Sequence, residues 1–351
     1  MQELGRNSDS ANAFINTAPG TKRFVIGENK QAEDLARHFK ISGAIFDGDA
    51  GDRMSCSGVP FIRSADVPVG SVVANCSTAI SPVEVLRRMN SLGLVVANIG
   101  DIISGLKGSI EWPWFVTQQR ESVQSRFEEW WRLYKLLDDE CSRETLINIL
   151  AYRLTADISF MFDYKVRLKE QYMEDFMSYR NEVFVDAGGF DGDTTEEFCR
   201  NYPDYRRILF FEPSPHNMAN ARCRLKEFRD IVYFEIGLSD VPGKLKFNPE
   251  AGSASAVCND ADTFIVVDAL DSLVNDSVSA IKVDLEGWDL TALKGAANTI
   301  RKHRPKLAVS VYHAANDFLD IPEYIRSIHP DYKVRLRHYT QGWSESVMFF
   351  F

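Results

Sequence analysis

Apolar residues in this chain recur at two spacings, and the spacing changes along the sequence. Between residues 21 and 110, short apolar runs (RFVIG, GAIFDGD, SVVANC, LVVANIG) read as strands. The segments between them, QAEDLARHF and SPVEVLRRMNSL, carry helical periodicity, the second with Ser81 as N-cap and Pro82 at the first helical position. Strand–helix alternation predicts a parallel sheet, here a small Rossmann-like domain. From 111 to 182 the pattern becomes helical throughout (SVQSRFEEWWRLYKLLDD, SRETLINILAYRLTADISFMF, KVRLKEQYMEDFMSY), which predicts a helical connector. Residues 183–351 return to alternation. Strand ends are expected near Asp186, Glu212, Glu235, Asp284 and Ser310, with helices at about 194–200, 216–228, 289–303 and 321–329. YKVRLRHY and WSESVMFFF read as a closing hairpin. The expected fold is α/β: a seven-stranded, mostly parallel sheet with one antiparallel strand, preceded by the smaller Rossmann-like domain and the connector. Residues 1–20, rich in Asn, Ser and Ala without periodicity, read as a flexible tail.

Composition narrows the class. The 351 residues suffice for two domains, and 45% hydrophobic with 26% charged residues describes a globular chain. A net charge of −10 argues against a nucleic-acid partner, which needs clustered basic charge. The basic stretches ARCRLKEFR and RKHRPK read as solvated helix faces. Six cysteines without a C-x-x-C pair fit neither a zinc site nor a disulfide framework, so no metal site of that kind is expected. No basic start leads into an apolar stretch, and no run of about 18 apolar residues occurs, so neither signal peptide nor membrane span is expected. The expected setting is cytoplasmic. Trp112, Trp114, Trp130 and Trp131 cluster in the connector; core packing is the simpler reading, a homodimer contact its rival.

The chemistry concentrates in VFVDAGGFDGDTTEEF, residues 183–198. An apolar run ends in Asp186, Gly188 and Gly189 follow, then Asp191, Asp193 and Thr194 open a helix. Glycines allow positive φ and close ligand approach, and a helix start offers free N–H groups. The next run, ILFFE, ends in Glu212, where α/β nucleotide sites place the acid that binds ribose hydroxyls. Together these imply an adenosine-bearing ligand. DAGGFDG is not the G-x-G-x-x-G of dinucleotide sites, and Asp186, Asp191 and Asp193 would repel a pyrophosphate. A cationic ligand suits an acid-rich turn, which favours S-adenosylmethionine over NAD.

EVFVDAGGFDGDT, LFFEPSP, IGLSD-x-x-G, IKVDLEGWDLTALKGA, LAVSVYH and DYKVRLRHY, in this order, resemble the FkbM-type family of S-adenosylmethionine-dependent methyltransferases, from about Glu182 to the C-terminus. The resemblance implies a class I methyltransferase fold and O-methylation of a sugar, glycoconjugate or natural product. It implies that Asp186, Gly188 and Gly189 lie around the methionine part of the donor, and that Glu212 holds the ribose. Pro213, Ser214, Leu238 and Ser239 would lie near the adenine, and Ser253 and Ser255 would line the same pocket. Gln171 and Tyr172 match a QY pair that would close over the donor. Asp284, Glu286 and Gly287 match the fourth strand end, with Trp288 where a small residue is usual.

Methyl transfer needs an aligned nucleophile and a base for its proton. Asp284, Glu286, His313 and His338 fall at expected strand ends; His313 is the favoured base and Asp284 an orienting carboxylate. A Mg²⁺ ion on Asp284, Glu286 and either Asp271 or Asp289 is the less favoured alternative. In the front domain, Asp47 lies twenty residues after Gly27, but Glu28 and Asn29 stand where further glycines would be expected. That segment resembles the nucleotide-binding front halves of some sugar acyltransferases and nucleotide-sugar enzymes. The partner expected for the whole is a small-molecule or glycan acceptor. The competing readings are N- or C-methylation on the same scaffold, or a catalytically silent nucleotide- or glycan-binding module supporting partner enzymes.

Overall fold

The computed structural model describes residues 9–49, 53–247 and 263–351. The chain forms two compact units, one of residues 1–127, 144–166 and 339–344, the other of residues 128–143, 167–338 and 345–351.

In the first unit, α1 (Asp9–Ile15) precedes β1 (Arg23–Ile26), α2 (Lys30–His38), β2 (Gly43–Ile45), β3 (Phe61–Ile62), β4 (Val72–Asn75), α3 (Pro82–Ser91), β5 (Val95–Asn98) and α4 (Ile99–Gly105). The strands form one parallel sheet in the order β3-β2-β1-β4-β5. Both faces are covered: Val25, Ala74 and Ala97 pack into one core layer, Phe24, Val73 and Val96 into the other. Burial on two sides is why these strands read as unbroken apolar runs. Residues from Asp9 onward are not a loose tail. Ala11 and Phe14 of α1 are fully buried, and Arg23 donates to the carbonyls of Phe14 (2.7 Å) and Ile15 (3.0 Å), satisfying the helix end.

Two long helices follow, α5 (Trp114–Leu136) and α6 (Glu140–Thr155). α5 is broken at Arg126 (φ −128°, ψ 31°), beside the boundary between the units. The tryptophans split between cores. Trp114 packs edge-on against Trp343 (4.8 Å) in the first unit, and Trp130 is buried on Phe318 (5.8 Å) in the second. The helix expected over KVRLKEQYMEDFMSY is instead two 3₁₀ turns, Leu168–Glu170 and Asp175–Met177. Tyr172 (φ 71°) and Ser178 (φ 46°) are left-handed, and no helix continues through such residues.

The second unit continues with β6 (Val183–Ala187), α7 (Asp193–Asn201), β7 (Arg207–Phe211), α8 (Pro215–Arg224), β8 (Ile231–Phe234), β9 (Gly237–Leu238), β10 (Gly243–Phe247) and β11 (Thr263–Asp268). It ends with α9 (Leu270–Leu273), β12 (Ala280–Val283), α10 (Asp289–Gly295), α11 (Ala297–His303), β13 (Lys306–Ser310), α12 (Asp317–Ile328), β14 (Val334–His338) and β15 (Ser346–Phe350). The main sheet has seven strands in the order β14-β15-β13-β12-β6-β7-β8, and β15 alone runs against the rest. The order reverses between β6 and β12, and binding sites of open α/β sheets lie outside the carboxyl ends at such a point. A small sheet, β10-β11-β9, was not anticipated; its pattern is weak because Phe264 and Val266 face outward and only Ile265 and Val267 are covered. The single helix expected over 289–303 is divided at Ala296. A side chain on Gly295 would meet the Ser239 carbonyl at 1.9 Å, so the chain bends where it presses on that loop. Among the described residues no helix is long and apolar enough to cross a membrane.

Candidate active site

The turn after β6 is built as the glycine pattern demands. Gly188 has φ 80°, and a Cβ there would lie 2.0 Å from the Asp284 carbonyl; a Cβ on Gly189 would strike the Phe210 ring at 2.2 Å. Only glycine lets the β6 turn rest on the end of β12. The acids around it are less open than the sequence suggests. Asp186 is fully buried, accepts from the Thr195 hydroxyl (2.5 Å) and pairs with Lys282 at 3.0 Å. Lys282 also donates to the Gly188 carbonyl (2.6 Å). Burial pulls the Lys282 pKa down, but the Asp186 and Asp284 charges outweigh it, so the ammonium is held above its ordinary value. Asp191 is paired with Arg224 at 2.6 Å, and Asp193 accepts the Thr194 N–H at 2.7 Å. Asp186 and Asp191 therefore brace the turn and are not free to receive a ligand's amino group. With Lys282 and Arg224 balancing two of the three acids, charge sign at this turn argues for a cationic ligand only through Asp193.

Glu212 stands one residue past β7, nearly buried. Its Oε2 accepts the Phe190 N–H (3.0 Å) and its Oε1 the Ser214 N–H (2.9 Å). Burial raises its pKa, and these bonds oppose the rise. Oε1 is shared with the Asn217 amide (3.4 Å), whereas Oε2 keeps a second lone pair for a ribose hydroxyl. Ser214 caps α8 through the Asn217 N–H, with Pro213 beside it. Leu238, which ends β9, and Ser239, on the loop after it, are both buried, and the Trp288 indole reaches the Ser239 hydroxyl at 3.4 Å. Trp288 thus packs the start of α10 against the loop expected to face the adenine. Ser253 and Ser255 lie outside the described residues.

At the ends of β12 and β13 a second set of groups converges. The Tyr172 hydroxyl donates to Asp284 Oδ2 (2.7 Å) and meets the Ser310 hydroxyl at 3.0 Å. Gln171 Nε2 donates to the Tyr172 oxygen (2.9 Å) and to Glu345 Oε2 (2.8 Å). Gln171 and Tyr172 therefore tie the 3₁₀ segment to this carboxylate cluster. Glu286, at φ 49°, projects a carboxylate that is 28% exposed. Its pKa is pushed up to about 7 by burial first, then by Asp284 and Asp289, with His313 opposing. Glu345, immediately before β15, is likewise pushed up to about 7 by burial and by Asp284, with Gln171 opposing. Sequence reasoning missed Glu345. Its one trace is an acid immediately before an otherwise apolar strand.

His313 Nδ1 lies 3.0 Å from Asp289 Oδ2. Asp289 is 1% exposed and is fixed by the N–H groups of Leu285 (2.9 Å) and Gly287 (3.1 Å). Burial alone would lower the His313 pKa; the Asp289 bond and charge, with Asp284 and Glu286, raise it to about 10. His313 therefore holds a proton at neutral pH, which argues against the general-base role expected for it. His338 is 3% exposed, with Nδ1 at 3.0 Å from the Ser346 hydroxyl inside the β14–β15 ladder, so it is enclosed away from any acceptor. Neither acid expected as third magnesium ligand is available. Asp289 is committed as described, and Asp271 accepts the N–H groups of Asn298 (2.7 Å) and Thr299 (2.8 Å) at the start of α11. In the front domain, Asp47 is likewise spent, on the Ser64 N–H (2.8 Å) and on Arg88 (2.5 Å).

A family model described as the methyltransferase FkbM domain matches residues 186–333. These residues are an FkbM methyltransferase domain, and the protein is a methyltransferase. Among solved structures, methyltransferase FkbM from Methylobacillus flagellatus KT is similar at 22% identity and a TM-score of 0.72, covering 98% of this chain and 94% of that one. The similarity in fold thus extends through the front unit. An rRNA methylase from Streptococcus thermophilus matches at 17% identity and a TM-score of 0.34, over 50% of this chain and 90% of its own. Aeropyrum pernix fibrillarin, with natively bound S-adenosyl-L-methionine, matches at 11% identity and 0.32, over 52% and 71%. No curated protein matches the chain.

Proposed function

We propose that this methyltransferase uses S-adenosylmethionine to methylate a hydroxyl of a sugar, glycoconjugate or natural product. The observation that carries the proposal is contact between two halves of one site. The Gly188 turn rests on the Asp284 backbone, so a donor lying along the turn points toward the carboxylates of Asp284, Glu286 and Glu345.

The residues fit the donor. Glu212 Oε2 keeps acceptor capacity for a ribose hydroxyl, and the close packing of Gly188 on Asp284 and of Gly189 on Phe210 fixes the course of the turn along which the methionine portion would lie. When bound, S-adenosylmethionine supplies a methyl group already activated by its positive sulfur. The chain must then orient the acceptor oxygen in line and take its proton. Asp284, fixed by Tyr172, orients the hydroxyl; orientation of this kind is worth about 7–11 kcal/mol. Glu345, fixed by Gln171, accepts the proton. A carboxylate with a pKa about 7 is suited to that task at neutral pH. His313 and Asp289 position the segment carrying Glu286 and Gly287.

S-adenosylhomocysteine release from the purified chain, measured with a panel of sugars, glycoconjugates and amines, tests this. Hydroxyl-dependent release is expected, and Glu345→Gln should lower kcat by about 10²–10⁴-fold with donor affinity unchanged. Release driven only by amines would replace O- with N-methylation; none with any acceptor would favour the silent binding module.

A further inference from the structure

We propose that Asp284, Glu286 and His313 form a binding site for one divalent cation on the acceptor side of the site. Asp284 Oδ1 lies 3.4 Å and Glu286 Oε2 3.6 Å from His313 Nε2. One ligand atom from each of the three residues lies within 4.8 Å of the other two. Ligands bound at about 2.0–2.2 Å around one ion stand at such separations from each other.

His313 supplies the independent indication. The side chain is 7% exposed, and Nε2, aimed at both carboxylates, makes no hydrogen bond. The other ring nitrogen is fixed by Asp289, itself anchored by two backbone N–H groups. With Nδ1–H held by a carboxylate, an incoming cation displaces the proton from Nε2 and takes its lone pair, the arrangement that orients ligating histidines generally. Charge points the same way. Three carboxylates, Asp284, Glu286 and Asp289, surround one imidazole, and a dication balances them better than a proton can.

Two carboxylate oxygens with one imidazole suit a first-row ion such as Mn²⁺ or Zn²⁺ better than Mg²⁺, which prefers an all-oxygen shell. Three protein ligands leave positions for an acceptor oxygen, whose proton the ion would loosen for Glu345. That use rests on the methyl-transfer reading; the site does not.

The test is a titration of the chelator-treated full chain with Mn²⁺, followed by the loss of the free-ion electron paramagnetic resonance signal. Saturation near one ion per chain is expected. His313→Ala and Glu286→Gln should each weaken uptake by at least about tenfold, and Asp289→Asn by about 10–100-fold. Far-UV circular dichroism confirms folding; should His313→Ala unfold, Glu286→Gln, at a partly exposed position, carries the comparison. No saturable uptake, or uptake unchanged in the folded variants, would overturn the site. S-adenosylmethionine titration of the same sample separates the two readings. Donor binding without Mn²⁺ uptake overturns the ion alone; Mn²⁺ uptake without donor binding overturns the methyl-transfer reading alone.

Discussion

Asp186 and Asp284 end neighbouring strands of one sheet and do different work. Asp186 is shut in with Lys282 and Thr195, whereas Asp284 faces Tyr172, Tyr312 and His313 with part of its carboxylate open. Removing one member of a buried pair strands the other, so Lys282→Met is expected to cost about 3–5 kcal/mol, read as a lower denaturant midpoint. An unchanged midpoint would mean that Asp186 does not need its partner. In the proposed transfer the proton goes to Glu345, which is surrounded by Gln171, Tyr312, Asp284 and His313. With its pKa about 7, the deprotonated base dominates above that pH. The kcat/KM profile should therefore rise with pH, reach half its maximum near 7 and level off above it, and Glu345→Gln should abolish that limb; a limb that survives would place the base elsewhere. Sequence placed the glycines, Glu212 and Asp284 at strand ends because local strand–turn–helix patterning carries them. It could not place Glu345, which meets Gln171 from 174 residues away only because β15 returns beside β13. Lys282 left a signal that went unread, a charge inside the apolar strand AIKV.

Among elements, most strands of the five- and seven-stranded sheets were legible because burial on two faces writes an unbroken apolar run; β3, two half-buried residues at the sheet edge, was not. The 3₁₀ segment carrying Gln171 and Tyr172 was not, since side-chain bonds to Asp284 and Glu345 override a helical period. The loop before α6 and strand β14 show a different tie. Asp139 accepts from Arg337 at 2.7 Å and from the Ser142 hydroxyl. Partial burial pushes its pKa up, but the Arg337 and Ser142 bonds outweigh this and hold it well below the usual carboxylate range. A depressed folded-state pKa gives stability that is present above the unfolded value of about 3.9 and lost as pH falls below it. Arg337→Met is therefore expected to lower stability by about 1.5–3 kcal/mol at pH 7, with the difference from the parent shrinking toward pH 2. Thermal melts across that range check it, and a difference independent of pH would contradict the assignment.

At the scale of the whole molecule, the chemistry gathers in the second unit, and the family match ends at 333, before the strand that brings Glu345. The closing hairpin is therefore part of the active-site account. In the first unit, Asp47 is committed to Ser64 and Arg88 and no longer marks a ribose site. The central claim is that the β6 turn and Glu212 hold S-adenosylmethionine. Calorimetric titration of the purified chain with that donor and, separately, with NAD(H) tests it most directly. The account requires saturable micromolar binding of S-adenosylmethionine alone, weakened at least about tenfold by Glu212→Ala, where charge-assisted hydrogen bonds worth about 1.5–3 kcal/mol are lost. Absence of donor binding, or binding indifferent to Glu212→Ala, would contradict it.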